Sequence, residues 1–209
     1  NEKEKARLQV RDALRQGGYG AREIIIRVNG LLTPWGEEDV ATLAAEGADA
    51  LLIPKVESKQ VVDSIEGRMH IAGASDKTAI WCMIETPKGV LRAEEIASAS
   101  PRLGALVMGT SDLAKDLHCL YTPRREPLMA SLSWCILAAR ANGLAILDGV
   151  HLNLLDDDGF AETCRQGREM GFDGKTLIHP KTIAAANEAY APGTEEIDWS
   201  RRIIAAYEE

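Results

Sequence analysis

The sequence predicts an α/β fold with a parallel sheet, and within that class a TIM (β/α)8 barrel of which six βα units are visible. Apolar runs rich in Val, Ile and Leu alternate with helical stretches, as expected when helices cover both faces of a parallel sheet. Each apolar run ends at a polar or charged residue, and these residues recur about every 30 positions, the length of one βα unit. No block of strands alone or helices alone interrupts this alternation.

Apolar runs bounded by breakers place each element in turn. Glycine follows several helical stretches, as at Gly47, Gly143 and Gly171, where a left-handed C-cap is expected. Ser58 and Thr86 are predicted to be N-caps of the helices that follow them. The strands are predicted at 23–29, 50–56, 79–85, 104–109, 145–150 and 174–179, and the helices at 37–46, 58–67, 88–98, 124–142, 158–170 and 181–190.

A polar side chain lies at or just beyond the end of every predicted strand: Arg27, Lys55, Glu85, Asp112, Asp148 and His179. All strand ends face one funnel in a closed barrel, whereas in an open sheet only strands near the switch point carry site residues. We therefore expect a barrel, formed by residues 1–190 as the catalytic domain. Six strands do not close a barrel of eight, so its first two strands are expected to be missing from this sequence. Residues 191–209 are predicted to form a C-terminal helical arm that is the start of a lid or a subunit contact.

Composition excludes several classes of protein. The chain has 209 residues and a net charge of −8, which argues against a nucleic-acid-binding surface. No apolar run is long enough to cross a bilayer, and no signal peptide is visible, so we expect a cytoplasmic protein with no membrane partner. The four cysteines lack metal-ligand spacing and are expected to be reduced residues, mostly in the core.

Two carboxylates at strand ends, Glu85 and Asp112, predict a Mg²⁺ site, because this cation prefers oxygen ligands and is commonly held by one or two carboxylates. The simpler interpretations are a solvated strand end for Glu85 and an N-cap for Asp112. Asp116 is a competing acid, expected to face solvent. Arg27 ends a run of isoleucines; it is predicted to bind a substrate carboxylate or oxyanion, with a structural salt bridge as the alternative. Lys55 could form a Schiff base, but we favour a charge that orients Glu85 or binds substrate.

Five motifs occur together in a fixed order. Arg27-Val28-Asn29 is followed by Pro54-Lys55-Val56-Glu57-Ser58, and then by Ile84-Glu85-Thr86-Pro87-Lys88-Gly89. The last two are Gly109-Thr110-Ser111-Asp112-Leu113 and the stretch from Gly171 to Pro180. In this combination the chain resembles the citrate lyase β-subunit family within the HpcH/HpaI aldolase superfamily, over essentially its whole length.

The resemblance implies a TIM-barrel carbon–carbon lyase that cleaves a 3-hydroxy-acyl-CoA, of the citramalyl-, malyl- or citryl-CoA type, to acetyl-CoA and a keto acid. It implies Mg²⁺ on Glu85 and Asp112, a substrate acid group on Arg27, and a homo-oligomer of the trimer or hexamer-of-trimers type. The lid that supplies an acidic catalytic residue in many members is not recognisable in this sequence. The alternatives are a malyl-CoA-type thioesterase, a class II pyruvate aldolase, and a non-catalytic subunit of an acyl-carrier-protein lyase complex.

Overall fold

Six parallel strands lie side by side in chain order and curl into a partial barrel, which confirms the predicted fold class. The computed structural model describes residues 2–208. Each strand pairs with the next one along the chain, so every connection is a βα crossover. The strands are β1 (Ile25–Arg27), β2 (Ala50–Ile53), β3 (Ala79–Ile84), β4 (Leu103–Met108), β5 (Ala145–Asp148) and β6 (Gly174–Lys175).

Most of the helices lie in the crossovers between strands and cover the outer face of the sheet. The two that precede β2 are α1 (Glu2–Gln16) and α2 (Gly36–Leu43). Those between β2 and β5 are α3 (Lys59–Ile71), α4 (Pro87–Leu91), α5 (Ala93–Ala97), α6 (Thr110–Asp116) and α7 (Met129–Ala141). The remaining three are α8 (Asp157–Met170), α9 (Ile183–Tyr190) and α10 (Thr194–Glu208).

Side-chain alternation along the strands separates two apolar layers. The larger core lies between the sheet and the helices and includes Ile26, Ile84 and Ile146. A smaller cluster of Leu52, Met83 and Val107 fills the inner, concave face, joined by side chains such as Trp81 and Leu147. Because successive residues point to opposite faces, a polar residue just after a strand belongs to the inner or the outer layer according to its parity. This parity decides which strand-end residues reach the mouth of the barrel.

Several predicted caps are confirmed. Gly171 is the left-handed C-cap of α8. Gly143 has positive φ directly after Asn142, the C-cap of α7, whereas Gly47 also has positive φ but lies three residues after Ala44, the C-cap of α2. The Thr86 side chain accepts a hydrogen bond from the Gly89 amide at the start of α4. Ser58 occupies the N-cap position of α3, but its side chain makes no capping hydrogen bond.

Other boundaries differ from the prediction. The helix expected at 88–98 is two short helices that meet at Arg92. The stretch 124–142 begins with a 3-10 turn, Glu126–Leu128, before α7. The last strand contains only Gly174–Lys175 instead of 174–179, because it pairs with only two residues of β5. The four cysteines carry free thiols, as predicted.

The C-terminal helix α10 differs from the others in having no buried residue, although Trp199 and Tyr207 project from it. An ion pair between Glu196 and Arg168, at 2.5 Å, connects it to α8. Its predicted role as a lid or a subunit contact remains a prediction. Within residues 2–208, no helix is long and apolar enough to span a membrane.

Candidate active site at the mouth of the barrel

Four of the predicted site residues lie at the carboxyl ends of β1 to β4. Arg27 is the last residue of β1, Lys55 lies two residues after β2, and Glu85 follows β3 directly. Asp112 lies in the first turn of α6, after β4. Asp112 is therefore a residue inside a helix and not its N-cap, which is Gly109. In a barrel this end of the strands is where active sites are built.

Glu85 is the buried member of the group, with 4 % of its surface exposed. It continues the inner-face alternation of Trp81 and Met83, which directs its carboxylate to the concave side. Burial raises the pKa of Glu85, an effect opposed by a hydrogen bond from the Lys55 amide and by the nearby positive charge of Arg27. Glu85 is thus a desolvated carboxylate and not the solvated strand end considered as its simpler interpretation.

Lys55 connects the two carboxylates. Its backbone N–H donates to Glu85 Oε1 at 2.9 Å, and its Nζ lies 3.3 Å from Asp112 Oδ2. The hydrogen bond to Asp112 raises the pKa of Lys55, whereas a lysine that forms a Schiff base needs a lowered pKa. These contacts agree with the prediction that Lys55 is a charge that orients the carboxylates.

Arg27 is exposed at the same mouth. Within residues 2–208 its guanidinium forms no hydrogen bond or ion pair, so a structural salt bridge is not its role there. It acts on Glu85 only through space, where its positive charge opposes the effect of burial, which raises the pKa of Glu85. A planar fork of unpaired donors in this position can receive a carboxylate in bidentate fashion.

Three of these residues, Arg27, Lys55 and Glu85, line a cleft of about 870 Å³, whereas Asp112 does not. Apolar side chains such as Leu31 and Val61 also line it. The cleft runs between the loop that follows β1 and the helices α1 and α3. An elongated ligand with one polar end fits a cavity of this composition.

The remaining two residues of the predicted ring do not belong to the mouth, so the prediction that all six strand ends form one polar ring is wrong. Asp148 shares the parity of Ile146 and therefore points into the layer between sheet and helices, where it is fully buried. His179 lies in an exposed turn, where its Nδ1 accepts a hydrogen bond from the Lys181 amide at 3.1 Å.

Asp148 is held by two buried cations. Arg125 Nη1 lies 2.6 Å and 2.8 Å from its two carboxylate oxygens, and Lys175 Nζ lies 2.8 Å from Oδ2. Asp148 also accepts a hydrogen bond from the Gly149 amide, and Gly149 lies directly against Thr110 at the start of α6. The cluster therefore supports the helix that carries Asp112 without facing the cleft. Arg125 was not predicted as a partner of Asp148, because it lies outside the repeated strand-end pattern.

Two further features of the site were not predicted. Gly109 lies in contact with Glu85, and the Ser111 hydroxyl is buried with no hydrogen-bond partner among residues 2–208. Both belong to the motif that carries Asp112, and the glycine directly after a buried strand was the signal available for the first. In the described part of the chain, no group of three or more His, Cys, Asp or Glu side chains converges to hold a metal. Any cation at the mouth would therefore have at most the two carboxylates as protein side-chain ligands of these types.

Comparison with known proteins identifies similar chains. The model of the HpcH/HpaI aldolase/citrate lyase family matches residues 1–180. A (3S)-malyl-CoA thioesterase of Cereibacter sphaeroides is 47% identical over 209 residues, which covers all of this chain and 71% of that protein. The citrate lyase subunit beta of Leuconostoc mesenteroides is 35% identical over 213 residues, covering all of this chain and 70% of that protein.

Solved structures with the same fold as this chain include two bacterial proteins. RipC from Yersinia pestis has a TM-score of 0.82 at 28% identity, over 93% of this chain and 84% of that one. CitE from Mycobacterium tuberculosis, in complex with magnesium, acetoacetate and coenzyme A, has a TM-score of 0.74 at 29% identity, over 97% of this chain and 72% of that one. The family resemblance predicted from the motifs is confirmed.

Proposed function

Because the chain belongs to the HpcH/HpaI aldolase/citrate lyase family, we propose that it is a Mg²⁺-dependent enzyme acting on the CoA thioester of a 3-hydroxy acid. One observation carries the proposal: Lys55 ties Glu85 and Asp112 together at the barrel mouth, beside the unpaired guanidinium of Arg27. A pair of acceptors for a hard cation thus stands next to a donor for an anionic group.

The residues present fit Mg²⁺. This ion prefers octahedral oxygen coordination and is usually held by one or two carboxylates, with water and substrate oxygens completing its shell. Glu85 and Asp112 supply two such carboxylates, and the half-exposed side chain of Asp112 leaves room for other ligands. When bound there, Mg²⁺ would supply Lewis-acid polarisation of substrate oxygens. A relative of known structure that binds magnesium, the Mycobacterium tuberculosis CitE, supports this assignment.

Arg27 is proposed to bind the free carboxylate of the acyl group. Its guanidinium lies at the mouth, and it has no partner among residues 2–208 that a substrate would have to displace. A bidentate contact would orient the acyl group against Glu85 and Asp112 and would stabilise negative charge that develops nearby. The adjoining cleft of about 870 Å³ would receive the pantetheine arm of the thioester.

Two bonds in such a substrate are candidates for cleavage. Relatives named (3S)-malyl-CoA thioesterase, at 46–47% identity, favour the thioester bond, which we take as the principal reaction. In it the oxygen of water bonds to the acyl carbon, the C–S bond breaks, and CoA leaves as the thiol with a proton from that water. Citrate lyase subunit beta relatives, at 33–35% identity, support carbon–carbon cleavage as the second candidate. This was the reaction predicted first from the motifs.

The decisive experiment incubates the purified protein and MgCl₂ with malyl-CoA, citramalyl-CoA and citryl-CoA, and identifies the products by mass spectrometry. Free CoA with the intact hydroxy acid supports hydrolysis. Acetyl-CoA with a keto acid overturns hydrolysis and establishes the lyase. Turnover of pyruvate with a free aldehyde instead indicates the class II aldolase. If no substrate reacts and Mg²⁺ does not bind, the protein has a non-catalytic role and the proposal is wrong.

A further inference from the structure

Lys55 contacts the two proposed metal ligands through different parts of the residue. The contact to Glu85 uses the backbone amide, at 2.9 Å, and the contact to Asp112 uses the ammonium group, at 3.3 Å. A change of side chain at position 55 therefore removes the second contact and retains the first. The contact with Asp112 can therefore be tested by substitution while the contact with Glu85 is kept.

The backbone of Lys55 is in the left-handed region, with φ of 52°. Residues other than glycine are uncommon there, and such conformations cluster at functional sites when the surrounding structure holds them. On one side the amide of Lys55 is held by Glu85, and on the other the amide of Val56 donates to the Met83 carbonyl at 3.2 Å. The position of the Lys55 Cα is thus set by β3, independently of Asp112.

The Lys55 ammonium is accessible to water and is not enclosed by the protein. The Lys55 side chain is 57% exposed and the Asp112 side chain 43% exposed, and lysine is a compact charge on a flexible four-carbon stem. Such an ion pair contributes little to stability because water competes for both partners. The side chain can therefore leave Asp112 at small cost.

We propose that the Lys55 ammonium competes with the divalent cation for the Asp112 carboxylate and thereby weakens metal binding. This inference rests on the metal site of the proposed function. A cation ligated by Asp112 and a lysine ammonium 3.3 Å from the same carboxylate would repel each other at short range. Binding of the metal would displace the ammonium into the cleft, where it would add a second positive charge beside Arg27 for the anionic substrate.

The test is a titration with Mn²⁺ alone, followed by the electron paramagnetic resonance signal of the free ion. Lys55→Met and Lys55→Gln both remove the charge and retain the amide that holds Glu85. Both are expected to bind Mn²⁺ more tightly than the wild type, on the order of tenfold. Two variants are used so that a local folding defect in one of them can be recognised by comparison with the other.

Lys88→Met is the matched control. Lys88 Nζ lies 3.3 Å from Glu57 Oε2, and the Lys88 side chain is 57% exposed. The substitution therefore removes one positive charge from an ion pair that has the same length and the same lysine exposure as the pair of Lys55 and Asp112. Its Mn²⁺ dissociation constant is expected to equal that of the wild type. If Lys88→Met tightens binding as much as the Lys55 variants, the effect is one of net charge and the inference is wrong.

Asp112→Asn separates failure of the inference from failure of the proposed site. If this variant loses Mn²⁺ and the Lys55 variants bind no more tightly than the wild type, the competition is disproved and the metal site stands. If the wild type and Asp112→Asn bind Mn²⁺ equally, or neither binds, the metal assignment fails and the inference fails with it.

Discussion

Gly109 lies so close to Glu85 that a Cβ at position 109 would come within 2.2 Å of the Glu85 Cβ and 2.7 Å of its Oε2. The two residues follow neighbouring strands, β3 and β4, and the Gly109 amide donates to the Ile84 carbonyl at 2.9 Å. The backbone of Gly109 has a φ of −95°, which other residues can adopt. Space, and not backbone freedom, therefore requires glycine here.

Gly109→Ala is expected to displace the Glu85 carboxylate and to destabilise the protein by about 1–3 kcal/mol, the usual cost of overpacking. Mn²⁺ affinity should fall together with the free energy of unfolding, measured by urea denaturation. Gly67→Ala is the control, because a Cβ there meets nothing within 4 Å in α3. That substitution should leave Mn²⁺ binding intact and stabilise the helix by up to about 1 kcal/mol. Normal Mn²⁺ binding by Gly109→Ala would contradict the close-contact argument.

Glu85→Gln is expected to remove metal binding without loss of stability. Burial raises the pKa of Glu85 above its ordinary value of 4.5, so the folded state binds this proton more strongly than the unfolded state does. The contribution of Glu85 to stability is therefore most favourable below pH 4.5 and declines as pH rises through the folded-state pKa. A neutral glutamine avoids this decline.

Thermal melts in EDTA at several pH values test this expectation. At pH 7 the melting temperature of Glu85→Gln should equal or exceed that of the wild type, and the variant should lack the wild-type decline between pH 4.5 and neutrality that arises from Glu85. A melting temperature several degrees lower at pH 7 would show that the carboxylate stabilises the fold.

Arg27→Lys is expected to lower kcat/KM for the thioester substrate by roughly 10- to 100-fold, because an ammonium cannot reproduce two parallel hydrogen bonds to a carboxylate. Stability should not change, since Arg27 is exposed and makes no ion pair within residues 2–208. The control is Arg22→Lys, because the Arg22 side chain is also exposed and, among residues 2–208, bonds only the Tyr19 carbonyl. Steady-state kinetics give kcat/KM for the two variants. Equal values of kcat/KM would exclude Arg27 from substrate binding.

Asp148→Asn is expected to destabilise the protein by about 3–5 kcal/mol, because it leaves Arg125 and Lys175 buried without their shared carboxylate. Lys175→Met should cost less, since it leaves a one-to-one pair of Arg125 and Asp148. It also removes an amine whose pKa burial lowers, so its charged form is disfavoured in the folded state. Urea denaturation gives the free energy of unfolding of each variant. A larger loss of stability in Lys175→Met than in Asp148→Asn would disprove this account.

The local sequence pattern was sufficient to predict the strands of the sheet and part of the candidate site. The apolar runs at 79–85 and 104–109 nearly coincide with β3 and β4, because a buried parallel strand must be apolar on both faces. The same alternation that places Trp81 and Met83 inside predicts that Glu85 faces the concave side. Helix boundaries were less predictable: α6 was not foreseen as a helix, since its seven residues carry no extended amphipathic pattern.

The polar strand ends show where the pattern was insufficient. Asp148 looks equivalent to Glu85 in sequence, yet it points to the helix layer, where it pairs with Arg125 and Lys175. Its parity with Ile146 was available from the sequence, whereas the buried position of Arg125, 23 residues away, was not. A long-range ion pair depends on how the loop after α6 returns to the sheet.

The sequence by itself determined the succession of βα units, the barrel class, and the residue types that reach the carboxyl ends of the strands. These follow from periodicity and burial, which are local properties of the chain. The tertiary structure alone decided which strand ends share one mouth, that Lys55 spans Glu85 and Asp112, and that Gly109 provides space for the buried carboxylate. These relations join residues about 25 to 60 positions apart, and only the curvature and register of the sheet bring them within contact distance.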